Sequence, residues 1–247
     1  DNQYQFDFDT YEEELTGSER MIILSSPHNP GGRVWTETEL KEVARFAIKN
    51  DLILVSDEIH HDLVYPQNKH TVMPIAEPAI CDRLVMMTAT TKTFNIAGAH
   101  SGNVIISNPD LHQKFSKRIA ALGISPNSFG LFMATAAYSS EGAEWLERLI
   151  KYIDENRIIF DEAINVIPGL KSMPLEGTYL AWVDFSGTGM EEKEFIKRVQ
   201  EKANIAVNHG STFGTGVANF LRFNMSTPRK LVVEATKRLE QAFSDLQ

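Results

Sequence analysis

Residues 88–95 read Thr88-Ala89-Thr90-Thr91-Lys92-Thr93-Phe94-Asn95. They follow the apolar run Leu84-Val85-Met86-Met87, whose length suits a buried strand. They lead into Ile96-Ala97-Gly98-Ala99-His100-Ser101-Gly102, which is small and turn-prone. Lys92 is therefore expected just past a strand end, among threonines and with few carboxylates near it in sequence. That setting suits an amine kept neutral for attack on a carbonyl. It suits a solvated loop lysine equally well, and Lys92 alone does not decide.

Two upstream stretches add weight. Ser25-Ser26-Pro27-His28-Asn29-Pro30-Gly31-Gly32 closes the apolar run Met21 to Leu24, and Val55-Ser56-Asp57-Glu58-Ile59-His60 closes Leu52-Ile53-Leu54. Three strand ends thus present Asn29, Asp57 and Lys92 in that order. In open α/β sheets, ligands sit beyond the carboxyl ends of the strands. Between the first two strands, Thr36 and Glu39 form a capping box, and Leu40, Val43, Phe46 and Ala47 form a helical stripe. This βαβ order predicts a parallel sheet with a right-handed crossover.

These motifs, with Phe220-Leu221-Arg222-Phe223-Asn224 near the end, carry a resemblance. The chain resembles the fold-type I pyridoxal 5′-phosphate (PLP) enzymes of the class I/II aminotransferase superfamily. The wording SSPHNPGGRVW from Ser25, SDEIHHDLVY from Ser56 and TKTFNIAG from Thr91 is most similar to the cystathionine β-lyase, or carbon–sulfur lyase, branch. The resemblance runs through nearly the whole chain. It implies an α/β fold: a PLP-binding large domain with a mostly parallel sheet, plus a small α+β C-terminal domain. The expected boundaries are 1–142 for the large domain, 143–166 for an interdomain helix and 167–247 for the small domain. Family members are considerably longer. The N-terminal arm, the glycine-rich phosphate turn, the ring that stacks on the cofactor and the first strands would precede Asp1. The chain is therefore expected to be a C-terminal part, incomplete at its N-terminus. An amino-acid substrate and a homodimer are the implied partners.

Roles follow from the resemblance residue by residue. Lys92 would be the Schiff-base lysine that also moves the substrate Cα proton. Asp57 would pair with the pyridine nitrogen, although an Asp at a strand end can simply cap a helix. Asn29 would hydrogen-bond the ring hydroxyl oxygen, which is compatible with an Asn-Pro turn. His60 stands where the superfamily usually has a tyrosine contacting the same oxygen, and a histidine there is typical of the lyase branch. Thr90 and Thr91 would offer hydroxyls to the cofactor phosphate, Thr90 being preferred. Aminotransferases generally place a phosphate-binding arginine eight residues after the lysine; here that residue is His100. Arg222 would grip the substrate α-carboxylate with two prongs. Otherwise an arginine in an apolar strand needs an internal acid partner. Gly210 to Gly214 resembles a loop beside the substrate. Glu58 reads as a structural or exposed acid, and His61 and Arg229 as surface residues. The scattered histidines and lone Cys81 give no metal-site spacing.

Composition bounds the rest. With 43% hydrophobic residues in 247, the chain can bury a real core. A formal net charge of −9 argues against a nucleic-acid surface. A single cysteine fits a reducing, cytoplasmic location, and no apolar run has membrane-spanning length. Three functions stay open. A lyase would cleave cystathionine or a related sulfur amino acid to pyruvate, ammonia and a thiol. An aminotransferase would return the same proton to the cofactor instead. An inactive fragment or regulatory protein could use the same scaffold. Lys92, Asp57, Asn29 and Arg222 serve the first two alike.

Overall fold

The computed structural model describes residues 2–246, which fall into two compact units. One comprises Tyr4–His28 and Val34–Arg148. The other comprises residues 2–3, Asn29–Arg33 and residues 149–246.

The first unit carries helix α1 (Phe8–Glu14), strand β1 (Met21–Ser25), helix α2 (Glu37–Lys49), β2 (Ile53–Asp57), α3 (Met73–Ala76), β3 (Leu84–Thr88), β4 (Asn103–Ile105), α4 (Pro109–Ala121) and α5 (Ser128–Ala137). The start of α6 (Ser140–Asn165) belongs to it, and the division falls inside that helix. The sheet order is β1-β2-β3-β4, with β1, β2 and β3 parallel and β4 antiparallel. The capping box forms as predicted: Thr36 Oγ1 accepts from Glu39 N, and the Glu39 carboxylate accepts from Thr36 N. Behind that cap, Leu40, Val43, Ala44 and Ala47 line a buried face of α2. They pack with Leu24, Leu54, Met73, Ile80 and Leu84. Leu54, Val55 and Ser56 of β2 are all buried, as both faces of a central parallel strand must be.

Strand register brings the carboxyl ends level. Ser25 pairs with Asp57, and Asp57 with Met87. The stretch 101–107 reads as a fourth strand from its sequence, but only 103–105 pair with β3. Val104 and Ile105 remain exposed. The helix after it starts at Pro109, where the Asn108 side chain accepts from Asp110 N and Leu111 N.

The second unit holds the rest of α6, β5 (Lys171–Ser172), β6 (Leu180–Asp184), α7 (Glu192–Lys197), β7 (Asn208–His209), β8 (Phe220–Asn224) and α8 (Arg229–Ala242). Its sheet is antiparallel in the order β5-β6-β8-β7. Strands and helices do not alternate strictly here, as the small α+β reading expects. Trp182 stacks on Phe220 at 5.1 Å and Phe185 on Phe195 at 4.9 Å, filling the core. Ile205 to Val207 has the apolar pattern of a short strand, but pairing falls at Asn208 and His209, where the chain comes level with Arg222 and Leu221. The spacing of Leu231, Val232, Ala235, Leu239 and Phe243 predicts one inner face for the last helix; Val232, Leu239 and Phe243 are buried, Leu231 is 50% exposed, and Thr236 is buried beside them. Among the described residues, no helix is long and apolar enough to cross a membrane.

Candidate active site

The surroundings of Lys92 are built within the first unit. β3 ends at Thr88, and residues 91–95 form a turn. Phe94 N donates to Thr90 O and Ile96 N to Thr91 O, both at 3.0 Å, which closes the loop on itself. Thr90, Thr91 and Thr93 are buried, whereas Lys92 between them is only half-buried. Asn95 takes φ 53°, a left-handed conformation that asparagine tolerates and that turns the chain out of the loop. Phe94 stacks on Trp145 with centroids 5.3 Å apart. The Lys92 amine makes no hydrogen bond or ion pair with any described residue. Asp57, at the end of β2, accepts from Ile59 N at 3.2 Å and has no cationic partner. No helix directly follows β2, so Asp57 caps a turn and not a helix; among the described residues no hydrogen bond commits its second carboxylate oxygen. His60 is buried at 3% exposure, and His100 is exposed at a φ of 45°.

Of the two readings open for Glu58, structural or exposed, the structure gives the first: it is 1% accessible. One carboxylate oxygen accepts from Ser56 Oγ at 2.9 Å and Met73 N at 3.1 Å; the other meets His70 Nε2 at 2.8 Å. His61 is half-buried, not exposed. Its Nδ1 lies 2.7 Å from Glu58 O, and its Nε2 lies 3.1 Å from Asp62 Oδ1. The Asp62 Oδ2 accepts from Thr93 Oγ1 at 3.0 Å. Adjacent His61 and Asp62 were a visible signal; His70, twelve residues beyond Glu58, had none. Removing the Glu58 carboxylate would leave three buried donors unpaired. Glu58→Leu is expected to lower the unfolding free energy by about 3 kcal/mol. A urea midpoint shifted down at unchanged slope would show this.

Arg222 and its partners lie within the second unit. Arg222 sits in β8 opposite Trp182 and Asn208. Its Nη1 donates to Asn29 Oδ1 and its Nη2 to Asn208 Oδ1, each at 2.8 Å. The guanidinium lies over the Phe213 ring at 4.8 Å, within the Gly210–Gly214 loop. Its buried Nε has no hydrogen-bond partner, and no acid pairs with it among the described residues. The acid that a purely structural arginine would need is therefore missing. Burial pulls its pKa down, partly offset by Tyr179. Sequence reading missed Asn208 and Phe213 as its supports, because β7 and the loop reach it only through the sheet. Arg229, read as a surface residue, is half-buried; it bonds Asn156 and lies over Tyr152 at 4.5 Å.

Comparison with known proteins gives the family. The family model described as aminotransferase class I and II matches residues 1–239. Cystathionine beta-lyase PatB of Bacillus subtilis is 32% identical over 247 residues, covering 99% of this chain and 64% of that protein. The crystal structure of cystalysin from Treponema denticola, which contains a pyridoxal 5′-phosphate cofactor, superposes with a TM-score of 0.93. It is 38% identical, covering all of this chain and 63% of that one. An aspartate aminotransferase of Pyrococcus abyssi is 26% identical, covering 99% of this chain and 62% of that protein. The chain thus spans less than two thirds of the length of the relatives it matches. With its α/β parallel-sheet unit and its matched length, the chain belongs to the class I and II aminotransferase family of PLP-dependent fold-type I proteins.

Proposed function

We propose that the protein is a PLP-dependent carbon–sulfur β-lyase that acts on cystathionine or a related sulfur amino acid. Pyruvate, ammonia and a thiol are the products. The observation that supports this reading is the likeness to a cystathionine β-lyase, 32% over nearly the whole chain, against 26% to an aspartate aminotransferase; a structure titled a putative aminotransferase, 34% identical, makes amino transfer the second reading. His60 in the lyase-typical position supports it.

The residues present fit the cofactor. An amine with no partner, a strand-end carboxylate with no cation and an arginine with an unmatched buried donor are what an aldehyde, a ring nitrogen and a carboxylate would each complete. Bound PLP would supply an electron sink for the charge left at the substrate Cα. Lys92 would hold it covalently, then take the proton from Cα. Asp57 would keep a proton on the ring nitrogen. Asn29 and His60 would bond the ring oxygen, and the Thr90 hydroxyl would face the phosphate. Arg222 would orient the substrate carboxylate. The 1–142, 143–166 and 167–247 division is retained as the domain proposal. A second copy of the chain is the proposed partner. Helix α5 is apolar nearly all round, with Phe129 and Phe132 about three-quarters exposed at 75% and 76%, and such a helix needs a cover.

Purified protein given cystathionine is expected to release pyruvate and a free thiol. Amino transfer to a keto acid in the same preparation, without pyruvate and thiol release, would favour the aminotransferase reading. Absence of any cofactor absorbance would remove both.

A further inference from the structure

We propose that Asp62 is a positioning residue for Lys92, holding the lysine loop through Thr93 while His61 holds Asp62. The inference rests on reading Lys92 as the cofactor lysine. All the groups lie within the first unit. Thr93, the next residue after Lys92, is 2% exposed, and its hydroxyl donates to Asp62 Oδ2 at 3.0 Å. The other Asp62 oxygen meets His61 Nε2 at 3.1 Å. The His61 Nδ1 meets the Glu58 carbonyl at 2.7 Å. A carbonyl and an ionised carboxylate can only accept, so both ring nitrogens must carry protons. His61 in this geometry is an imidazolium. The chain of contacts runs from Glu58, next to Asp57, to Thr93, next to Lys92. It joins the ends of β2 and β3 beyond their backbone ladder, where Glu58 N already donates to Met87 O. Fixing the residue next to a lysine this way limits where its amine can go.

The direction of titration agrees with the geometry. Burial opposes charge on His61, but the Asp62 carboxylate and the Glu58 carbonyl outweigh it and raise the imidazole above its ordinary pKa. Burial also opposes an ionised Asp62, but His61, the Thr93 hydroxyl and the field of His70 hold its carboxyl below the ordinary value. Tyr138 faces the same carboxylate, and burial and Asp62 raise its phenol. His70 lies with its ring 6.2 Å from that of His61. Because the folded His61 value lies above the unfolded one, its contribution is complete below the ordinary imidazole pKa, about 6.5. It is lost as pH rises through the raised value. The Asp62 contribution is lost only as pH falls through its lowered value.

The test reads labelling of Lys92, not turnover. The protein is mixed with pyridoxal 5′-phosphate, reduced with borohydride and mapped by peptide mass over time. Asp62→Asn and Thr93→Val are expected to slow labelling at Lys92 roughly tenfold, and Thr93→Ser to keep the wild-type rate. The wild-type advantage over Asp62→Asn should shrink toward one as pH rises through the His61 transition. If Asp62→Asn does not fold, Thr93→Val, nearly the same shape, carries the same comparison. Wild-type labelling rates in the variants, or a wild-type advantage independent of pH, would overturn the proposal. A wild-type protein that labels elsewhere would instead overturn the reading of Lys92, and this proposal with it. The wild-type trace alone separates these two failures.

Discussion

Lys92→Ala is expected to abolish the borohydride-fixable link between the protein and pyridoxal 5′-phosphate. The expected loss is complete, because the linking amine is itself removed. Three observations single out this lysine. Its loop closes on itself through Thr90 and Thr91 carbonyls, and its neighbours Thr91 and Thr93 are buried. Its amine is partnered by nothing among the described residues. Three other lysines differ in being paired: Lys41 with Glu37 at 2.5 Å, Lys49 with Glu12 at 2.9 Å, and Lys197 with Glu201 at 3.9 Å. An ammonium stabilised by a carboxylate is the wrong form for attack on a carbonyl. Mass mapping decides the matter. Cofactor still fixed to the Lys92→Ala protein would make another lysine the nucleophile.

Much of the parallel-sheet unit could be read from sequence because its signals are local. Thr36 and Glu39 announce a helix start three residues apart, and the apolar runs before Asn29, Asp57 and Lys92 are strand-length. What failed depended on partners distant in sequence. Glu58 reads as either structural or exposed until His70 and Met73 N reach it from the following loop and from α3 and decide for the first. His61 reads as exposed until the turn after β2 directs one ring nitrogen at Glu58 O and the other at Asp62. The apolar stretch 205–207 stops just short of the strand at Asn208 and His209, because the strand's place is set by pairing with β8, not by its own apolar pattern. The motifs point to the residues proposed as reactive. They did not find the polar residues that hold them, since a hydrogen-bond network leaves no periodic trace.

Arg222→Ala is expected to lower kcat/KM for the amino-acid substrate by about a thousandfold. Loss of one member of a buried, hydrogen-bonded charge pair costs roughly 2–5 kcal/mol, and each 1.4 kcal/mol is about tenfold. The guanidinium is unusually prepared for an anion. Asn29 and Asn208 fix its two terminal nitrogens from opposite partners, and Phe213 supports its face. Both supports are neutral, so its positive charge is left to the ligand. Arg222→Lys should recover little of the loss, because an ammonium cannot bond both asparagines and still offer a fork to a carboxylate. The control is an amino-acid amide, which lacks the carboxylate charge. Its slow turnover should fall much less on Arg222→Ala. An equal fall for acid and amide would mean that Arg222 holds its unit together and does not read the carboxylate. Thermal denaturation of the same variants separates these cases, since a carboxylate-reading arginine leaves the melting temperature of the unliganded protein nearly in place.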